Sequence, residues 1–470
     1  MAAIVDRVPV EDFHPGDDLF AFCATLFPVC RSLTGDGVRE TLGLIDKVLP
    51  LTIHEVPSGT EVHGWTVPDE WNIVDAYVKN SRGERVIDFQ RCNLHVVGHS
   101  TPVRERMSLA ELRQHVHTLP ERPGWIPYRA SFYRRSWGFC TSHDDFARLE
   151  EDEYEVVIDA TLAPGSMTYA EAYLPGAVEE EVLVSTHICH PSLANDNVSG
   201  MAVSAYLGAH LAARERHYSY RLLFIPTTLG SIAWLARNEE AVSRIRHGVV
   251  VTGVGDRGPI VYKRSRRGDA GIDRAAEHVL SRRTTPDRII DFYPYGYDER
   301  QYCSPGFDLP VGRLTRTPHN QYPEYHTSAD DLNLLDPDSL VDSLEVLTQM
   351  LEVVDANHRY VNQHPMAEPK LDTYGLYTGV AGEIPEFELA LLWVLNYSDG
   401  LHDLLDVAER ATLPFPLVRR AADALVRHGL LVLAEPKPAR YLEPVDGGAK
   451  RSGSPSRSRS VKPRAAREPS

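Results

Sequence analysis

Two imidazoles and a carboxylate crowd the stretch Ser185–Gly200, STHICHPSLANDNVSG. His187 and His190 are separated by two residues, and Asp196 follows on the same segment. Before it lies an apolar run, Val182–Val184, that reads as a buried strand; after it, a small-residue run from Met201 reads as a helix. Histidine nitrogen and carboxylate oxygen on a loop at a strand's carboxyl end are the donors of a hydrolytic zinc site. The plain alternative is a histidine that hydrogen-bonds a turn, because His-x-x-His lacks the i, i+4 spacing of the helical zinc motif.

Other residues with chemistry fall at comparable places. RLLFIP (221–226) runs into Thr227 and Thr228, GVVVT (248–252) runs towards Asp256, and EYHTSAD (324–330) carries His326 ahead of an amphipathic helix. His187, Asp196, Asp256 and His326 therefore belong to loops at one edge of an expected sheet. This mixed nitrogen and oxygen set suits zinc, as one ion or as two sharing Asp196. Taken singly, Asp256 could cap a turn and His326 the helix that follows. Arg264, in the basic run KRSRR (263–267), could grip a carboxylate or phosphate or simply face solvent. Tyr295, Tyr297, Tyr322 and Tyr325 could line a pocket or pack the loops.

The elements that position these residues follow from periodicity. Strands alternating with helices after Gly200 predict an α/β domain with a largely parallel sheet. Ahead of it, two helices in 17–50 are followed by β-forming clusters that read as a mostly-β insertion, residues 63–160. The host domain is then 1–62 together with 161–370. Residues 383–440 read as helix, turn, helix, strand, a winged-helix pattern with only a mild basic bias. The stretch 446–470 is basic, Ser/Arg-rich and expected to be disordered.

The chain has 470 residues, 43% apolar, with a formal charge of −17. That charge gives no argument for nucleic-acid binding, and the length is enough for two or three cores. Six scattered cysteines without a Cys-x-x-Cys pair argue against a disulfide framework or a thiolate zinc site. No apolar run approaches membrane-spanning length and no signal architecture opens the chain, so a cytoplasmic protein, with no membrane partner, is expected. A homo-oligomer is compatible with this composition.

Several long segments together resemble the bacterial aminopeptidase-like proteins associated with polysaccharide-biosynthesis genes, a branch of the co-catalytic zinc aminopeptidase clan. They include FPVCRSLTGDGVRETL, STHICHPSLANDNVSGMA, FIPTTLGSIAWLARN, YGYDERQYCSPGFDLPVGRLTRTPH and PEYHTSADDL. The resemblance implies a phosphorylase/hydrolase-like α/β/α sandwich with an inserted β module and a winged helix. It implies metal ligation by His187, Asp196, Asp256 and His326, and removal of an N-terminal residue from a peptide or related amide.

One departure stands out. Where the clan has a Glu-Glu pair after the strand ending at Pro226, general base then ligand, this chain has Thr227-Thr228. A threonine hydroxyl cannot accept a proton near neutrality, and general-base help is worth roughly 10²–10⁴ in rate. Losing a carboxylate ligand favours one zinc over two. Glu299 is the first choice for a replacement base, with Asp298, Glu324 and His190 as others. His190, Asp298, Tyr325 and Arg264 are expected behind the ligands or on the substrate. The expected activity is zinc-dependent hydrolysis of an aminoacyl or peptide-like amide. The alternatives are a non-hydrolytic binding or regulatory protein, or an acyl or amide transferase.

Overall fold

The computed structural model describes residues 15–377 and 384–434; the basic segment 446–470 lies outside them. Apolar runs without alternation form central strands because both their faces are covered. Eight strands make the main sheet: β1 (Thr52–Pro57), β2 (Ser166–Leu174), β3 (Glu181–His187), β4 (Ser219–Ile225), β5 (Ile245–Val251), β6 (Val261–Lys263), β7 (Arg288–Ile290) and β8 (Val311–Thr315). Their spatial order is β1-β2-β4-β3-β5-β8-β6-β7. The central four, β4, β3, β5 and β8, are parallel, and every residue of β3 and β4 is buried.

The outer strands correct the largely parallel expectation. β1 pairs antiparallel with β2, β2 with β4, and β6 with β8. β1 and β2 are adjacent because the chain leaves and re-enters the sheet at one edge, with the whole inserted module where a hairpin turn would be.

Alternate residues of the strands feed two cores. On one face Val182, Val184, Val249 and Val251 pack with helices Pro15–Leu26, Asp36–Asp46, Gly200–Ala212 and Pro337–Ala356. On the other, Leu183, Leu223, Val250 and Val311 pack with Trp234 of helix Leu229–Arg237. The result is a three-layer α/β/α sandwich. From β3 the chain moves to β4 on one side and then to β5 on the other, so a crevice opens at the carboxyl ends of β3 and β5.

The inserted module is a four-stranded antiparallel sheet, Arg85–Asp88, Glu70–Lys79, Glu153–Ala163 and Val103–Ser108 in that order, with its own core around Trp71, Val78, Val156 and Ile158. Arg39 fastens it to the host. Its two terminal nitrogens bind Glu70 at 2.8 and 2.7 Å, and Glu70 also accepts the Ser166 N–H at 2.9 Å.

The winged module begins earlier than 383. Arg359–Asn362 supplies its middle strand, between Asp399–Asp403 and Leu431–Leu433. That short strand directly follows the long helix and is far in sequence from its partners, so periodicity does not reveal it. The module's helix Phe415–Arg427 meets the host at its start, where the Phe415 N–H donates to His278 Nε2 at 3.1 Å. Arg274 binds Asp403, Asp406 and Glu409 across the same junction. Among the described residues no helix is long and apolar enough to cross a membrane.

The Arg39 clamp makes stability pH-dependent. The hydrogen bonds from Arg39 hold the Glu70 carboxyl down at about 2, below its ordinary 4.5. A depressed carboxyl stabilises the fold above its unfolded value and loses that contribution as pH falls through its folded value. Glu70→Gln should therefore cost about 2 kcal/mol at pH 7, allowing for screening at the partly exposed arginine. In urea melts at successive pH values, the gap between wild type and variant should shrink from about 4.5 towards about 2.

Candidate metal centre

His187 is the last residue of β3 and is fully buried, as is Asp196. Its Nε2 stands 3.0 Å from Asp196 Oδ1, while His326 Nε2 stands 3.0 Å from Oδ2. His190 Nε2 lies 4.0 Å from that second oxygen. The ligand atoms of His187, His190 and Asp196 all fall within 4.8 Å of one another. Tetrahedral ligands about 2.0–2.2 Å from a zinc ion are roughly 3.3–3.6 Å apart, so the donors are of the kind zinc takes, and their separations of 3.0 and 4.0 Å from Asp196 lie on either side of that spacing. Protonation fits as well. Burial brings His190 down to about 3, leaving it neutral. Burial tends to raise Asp196, but the imidazoles around it, with hydrogen bonds from His187 and His326, outweigh it and hold the carboxyl well below its usual range. Neutral imidazole and ionised carboxylate are the ligating forms.

The loop that carries Asp196 is fixed by a second carboxyl. Asp330 accepts the N–H of Asn195 at 2.6 Å and of Asp196 at 3.1 Å, and its backbone carbonyl accepts the N–H of Ala194 at 2.9 Å. Asn197 donates to Thr186 Oγ1 at 2.8 Å and to the His187 carbonyl at 3.0 Å, locking loop to strand. Burial, aided by the charge of Asp196, pushes Asp330 up to about 8. Fully buried Arg31 donates to the His190 carbonyl at 2.8 Å and so positions that imidazole.

His326 is held from two sides. Tyr325 stacks on its ring at 3.9 Å, which gives that tyrosine a positioning contact. The inserted module supplies the other side. The Tyr128 N–H donates to the His326 carbonyl at 2.8 Å, Ser328 and Ile126 exchange a backbone hydrogen bond at 2.8 Å, and the Tyr128 ring lies 5.1 Å from His326 and 5.3 Å from His190. His326 takes a left-handed backbone, φ 56°, a strained geometry that the flanking contacts secure. Tyr297 stacks on His187 at 5.1 Å.

Three expected participants stand elsewhere. Asp256 is not in the ligand group. Its Oδ1 accepts Thr317 Oγ1 at 2.6 Å and the Gly258 N–H at 2.7 Å, and its Oδ2 accepts Asn195 Nδ2 at 2.9 Å and the Thr317 N–H at 3.2 Å. β5 ends at Val251, and the chain turns at Gly253, φ 58°, before reaching it. Asp256 therefore ties loops together behind Asn195. Glu299 is fully buried against Lys263 at 2.9 Å and Arg313 at 3.5 Å, a structural ion pair. Arg264 is taken up by Glu277 at 3.1 Å and the Gly268 carbonyl at 3.0 Å.

Asp298, one residue before Glu299, faces the site. Successive positions at a helix start point roughly 100° apart, so the two carboxylates diverge. Asp298 Oδ1 accepts Ser231 Oγ at 2.7 Å, and the carboxyl lies beside Thr227 and within the field of His187. Its Oδ2, Thr227 Oγ1 and His187 Nδ1 are buried without a well-formed hydrogen bond. Burial pushes Asp298 up to about 6, against the lowering effect of His187. Residues that sequence reasoning passed over are Asp330, Tyr128, Arg31, His319 and Arg313. Asp330 had a visible signal, an acidic residue four after His326; the others owe their place to tertiary packing alone.

Comparison with known proteins matches this architecture. The family model described as "Domain of unknown function (DUF4910)" covers residues 20–357, and a winged helix-turn-helix model covers 358–433. A Clostridium acetobutylicum protein named for polysaccharide biosynthesis and an aminopeptidase-like domain is 47% identical over 420 residues, 89% of this chain and 96% of its own. A crystal structure from the same organism, named as a peptidase, superposes with a TM-score of 0.84 at 46% identity, over 89% of this chain and 96% of that one. BSAP, a zinc aminopeptidase from Bacillus subtilis, shares the fold at 11% identity and a TM-score of 0.54, over 73% of this chain and 96% of its own. The sandwich with its inserted module is thus an aminopeptidase-like domain joined to a winged helix, and the chain belongs to the DUF4910 family.

Proposed function

We propose that this protein is a zinc-dependent hydrolase of the aminopeptidase type, acting on an aminoacyl or peptide-like amide. The observation that carries this reading is the fully buried Asp196 carboxylate held at 3.0 Å by both His187 Nε2 and His326 Nε2. His187, His190 and Asp196 make one three-donor group, with His326 on the second oxygen of Asp196, and the missing carboxylate at the β4 end favours a single ion over two. A zinc ion there would supply Lewis-acid polarisation of the amide carbonyl and make a water more acidic. The Asp298 carboxylate takes the part of the general base in place of Glu299, because Oδ1 is anchored by Ser231 and Oδ2 is left to receive a proton. Half-buried Tyr128 and Tyr325, on either side of His326, flank the side from which an amide reaches the ligands.

A second reading, a binding protein or an acyl or amide transferase without fast hydrolysis, is favoured by one specific feature. Residues 227 and 228 are both threonine, so the β4 end provides neither base nor carboxylate ligand.

Metal analysis of the purified full chain separates the two readings from a metal-free one. About one zinc per chain is expected, lost in His187→Ala and in Asp196→Asn; a protein that binds no zinc would end the metal hypothesis. On a panel of aminoacyl amides, a rise of roughly 10²–10⁴ in turnover in Thr227→Glu would favour the second reading, since only a site without a working base gains that much from one. Asp298→Asn should lower turnover at least tenfold with zinc content unchanged. Equal turnover in Asp298→Asn and wild type would remove Asp298 from the chemistry.

A further inference from the structure

Ser185, Val250, Arg313 and Lys263 lie side by side across β3, β5, β8 and β6. Registered neighbours point to the same face of a sheet, and His187, two residues beyond Ser185, shares that face. Arg313 and Lys263 are therefore directly opposed and both fully buried, an arrangement like charges disfavour. One carboxylate lies against them. Glu299 Oε1 accepts from Lys263 Nζ at 2.9 Å and, at a long 3.5 Å, from Arg313 Nη1. Among the described residues no other carboxylate is ion-paired with either cation.

Two cations and one anion leave the cluster one negative charge short of balance, and buried charge is costly unless paired. Its unspent capacity is visible. Arg313 Nε and Nη2 are buried and make no hydrogen bond, and neither does His319 Nδ1. The cluster adjoins the metal centre through one ring. Tyr297 stacks on His187 at 5.1 Å, and the Arg313 guanidinium carbon lies 5.7 Å from its centre. His319 stands edge-on to the same ring at 5.3 Å and touches Tyr295 at 5.2 Å, which is 57% exposed and marks the side nearest solvent. The neighbouring arginines are occupied, Arg266 and Arg267 by Asp308.

We propose that Arg313, with His319 beside it, forms an oxyanion subsite that receives a carboxylate or phosphate group of the substrate. The subsite lies two strand spacings, roughly 10 Å, from β3 and His187. A guanidinium with two free N–H groups matches such an anion in a fork that lysine cannot reproduce. The substrate is then an amide with an acidic group a few bonds from the scissile carbonyl. That identification rests on the hydrolase reading; the anion site itself does not.

The test uses the full chain with and without chelator, titrated calorimetrically with inorganic phosphate and with glutarate. At least one of them should bind with chelator present, and Arg313→Met should weaken that binding at least tenfold with an unchanged circular dichroism spectrum. Arg313→Lys, which keeps the charge and loses the fork, is the second variant and should fall between. Wild type that binds neither anion in chelator, or anion binding unchanged in both variants, overturns the subsite. Because this arm needs no metal, a failed hydrolase reading leaves it standing. For the substrate, KM should be at least tenfold lower for an aminoacyl amide carrying a distal carboxylate than for its neutral analogue, and Arg313→Met should erase the difference. Anion binding with no such preference overturns the assignment to substrate and leaves a free anion as the occupant.

Discussion

The site depends on keeping one carboxylate, that of Asp196, ionised inside the protein. Burying such a charge costs several kcal/mol unless it is paired and hydrogen-bonded. The pairing comes from His187 and His326, one on each oxygen. The backbone behind it comes from Asp330, which holds three successive residues of the loop. Two buried carboxyls this close respond in opposite directions, Asp196 held low by its imidazole partners and Asp330 driven up to about 8 by burial. The charge is thereby concentrated on the carboxylate that faces both histidines.

That arrangement draws on distant parts of the chain. β3 provides His187 and the following loop provides His190 and Asp196, while His326 comes from beyond β8, five strands further along the chain. The inserted module, which leaves the sheet at its far edge, returns to the site through Ile126 and Tyr128. Its sheet has its own core, yet its contact with the Ser328 loop fixes the backbone on which His326 sits. The module is consequently part of the site's scaffold, and the Arg39–Glu70 clamp at its base is part of the same support.

Much of this was legible in the sequence, for physical reasons. Unalternated runs such as Val182–Val184 and RLLFI announce strands covered on both faces, and small residues from Met201 announce a closely packed helix. Together they place His187 and Asp196 at a carboxyl edge. What local pattern cannot supply is the direction of a side chain on a loop. Asp256 sits at the expected strand end, but the turn at Gly253 carries it behind Asn195. Asp298 and Glu299 are adjacent letters that a helix start sends to different surroundings, one to Ser231 and the other to Lys263. The sequence puts His190 behind the ligands or among the candidate bases, because His-x-x-His does not form one helix face; an irregular loop anchored by Arg31 brings it to within 4.0 Å of Asp196.

The replacement of the strand-end glutamate by Thr227 has a consequence for its neighbour. In an α/β sheet the loops at the carboxyl edge converge, so a carboxylate can be presented to one place from either of two facing loops. Thr227 and Asp298 are such a facing pair, and Ser231, one turn further on, links the Thr228 carbonyl to Asp298 Oδ1. A glutamate at 227 would put a second carboxylate against Asp298, and two like charges in a buried site cannot both ionise at their ordinary values. With threonine there, Asp298 is the carboxylate left at that junction, between His187 and the already paired Glu299. On the proposed reading, proton transfer passes from the end of β4 to the loop ahead of Glu299, the same loop that roofs Lys263 and Arg313. The base and the anion subsite would then be set by one short segment, Tyr295–Glu299, so that a substrate's acidic group seated on Arg313 bears directly on the placement of Asp298.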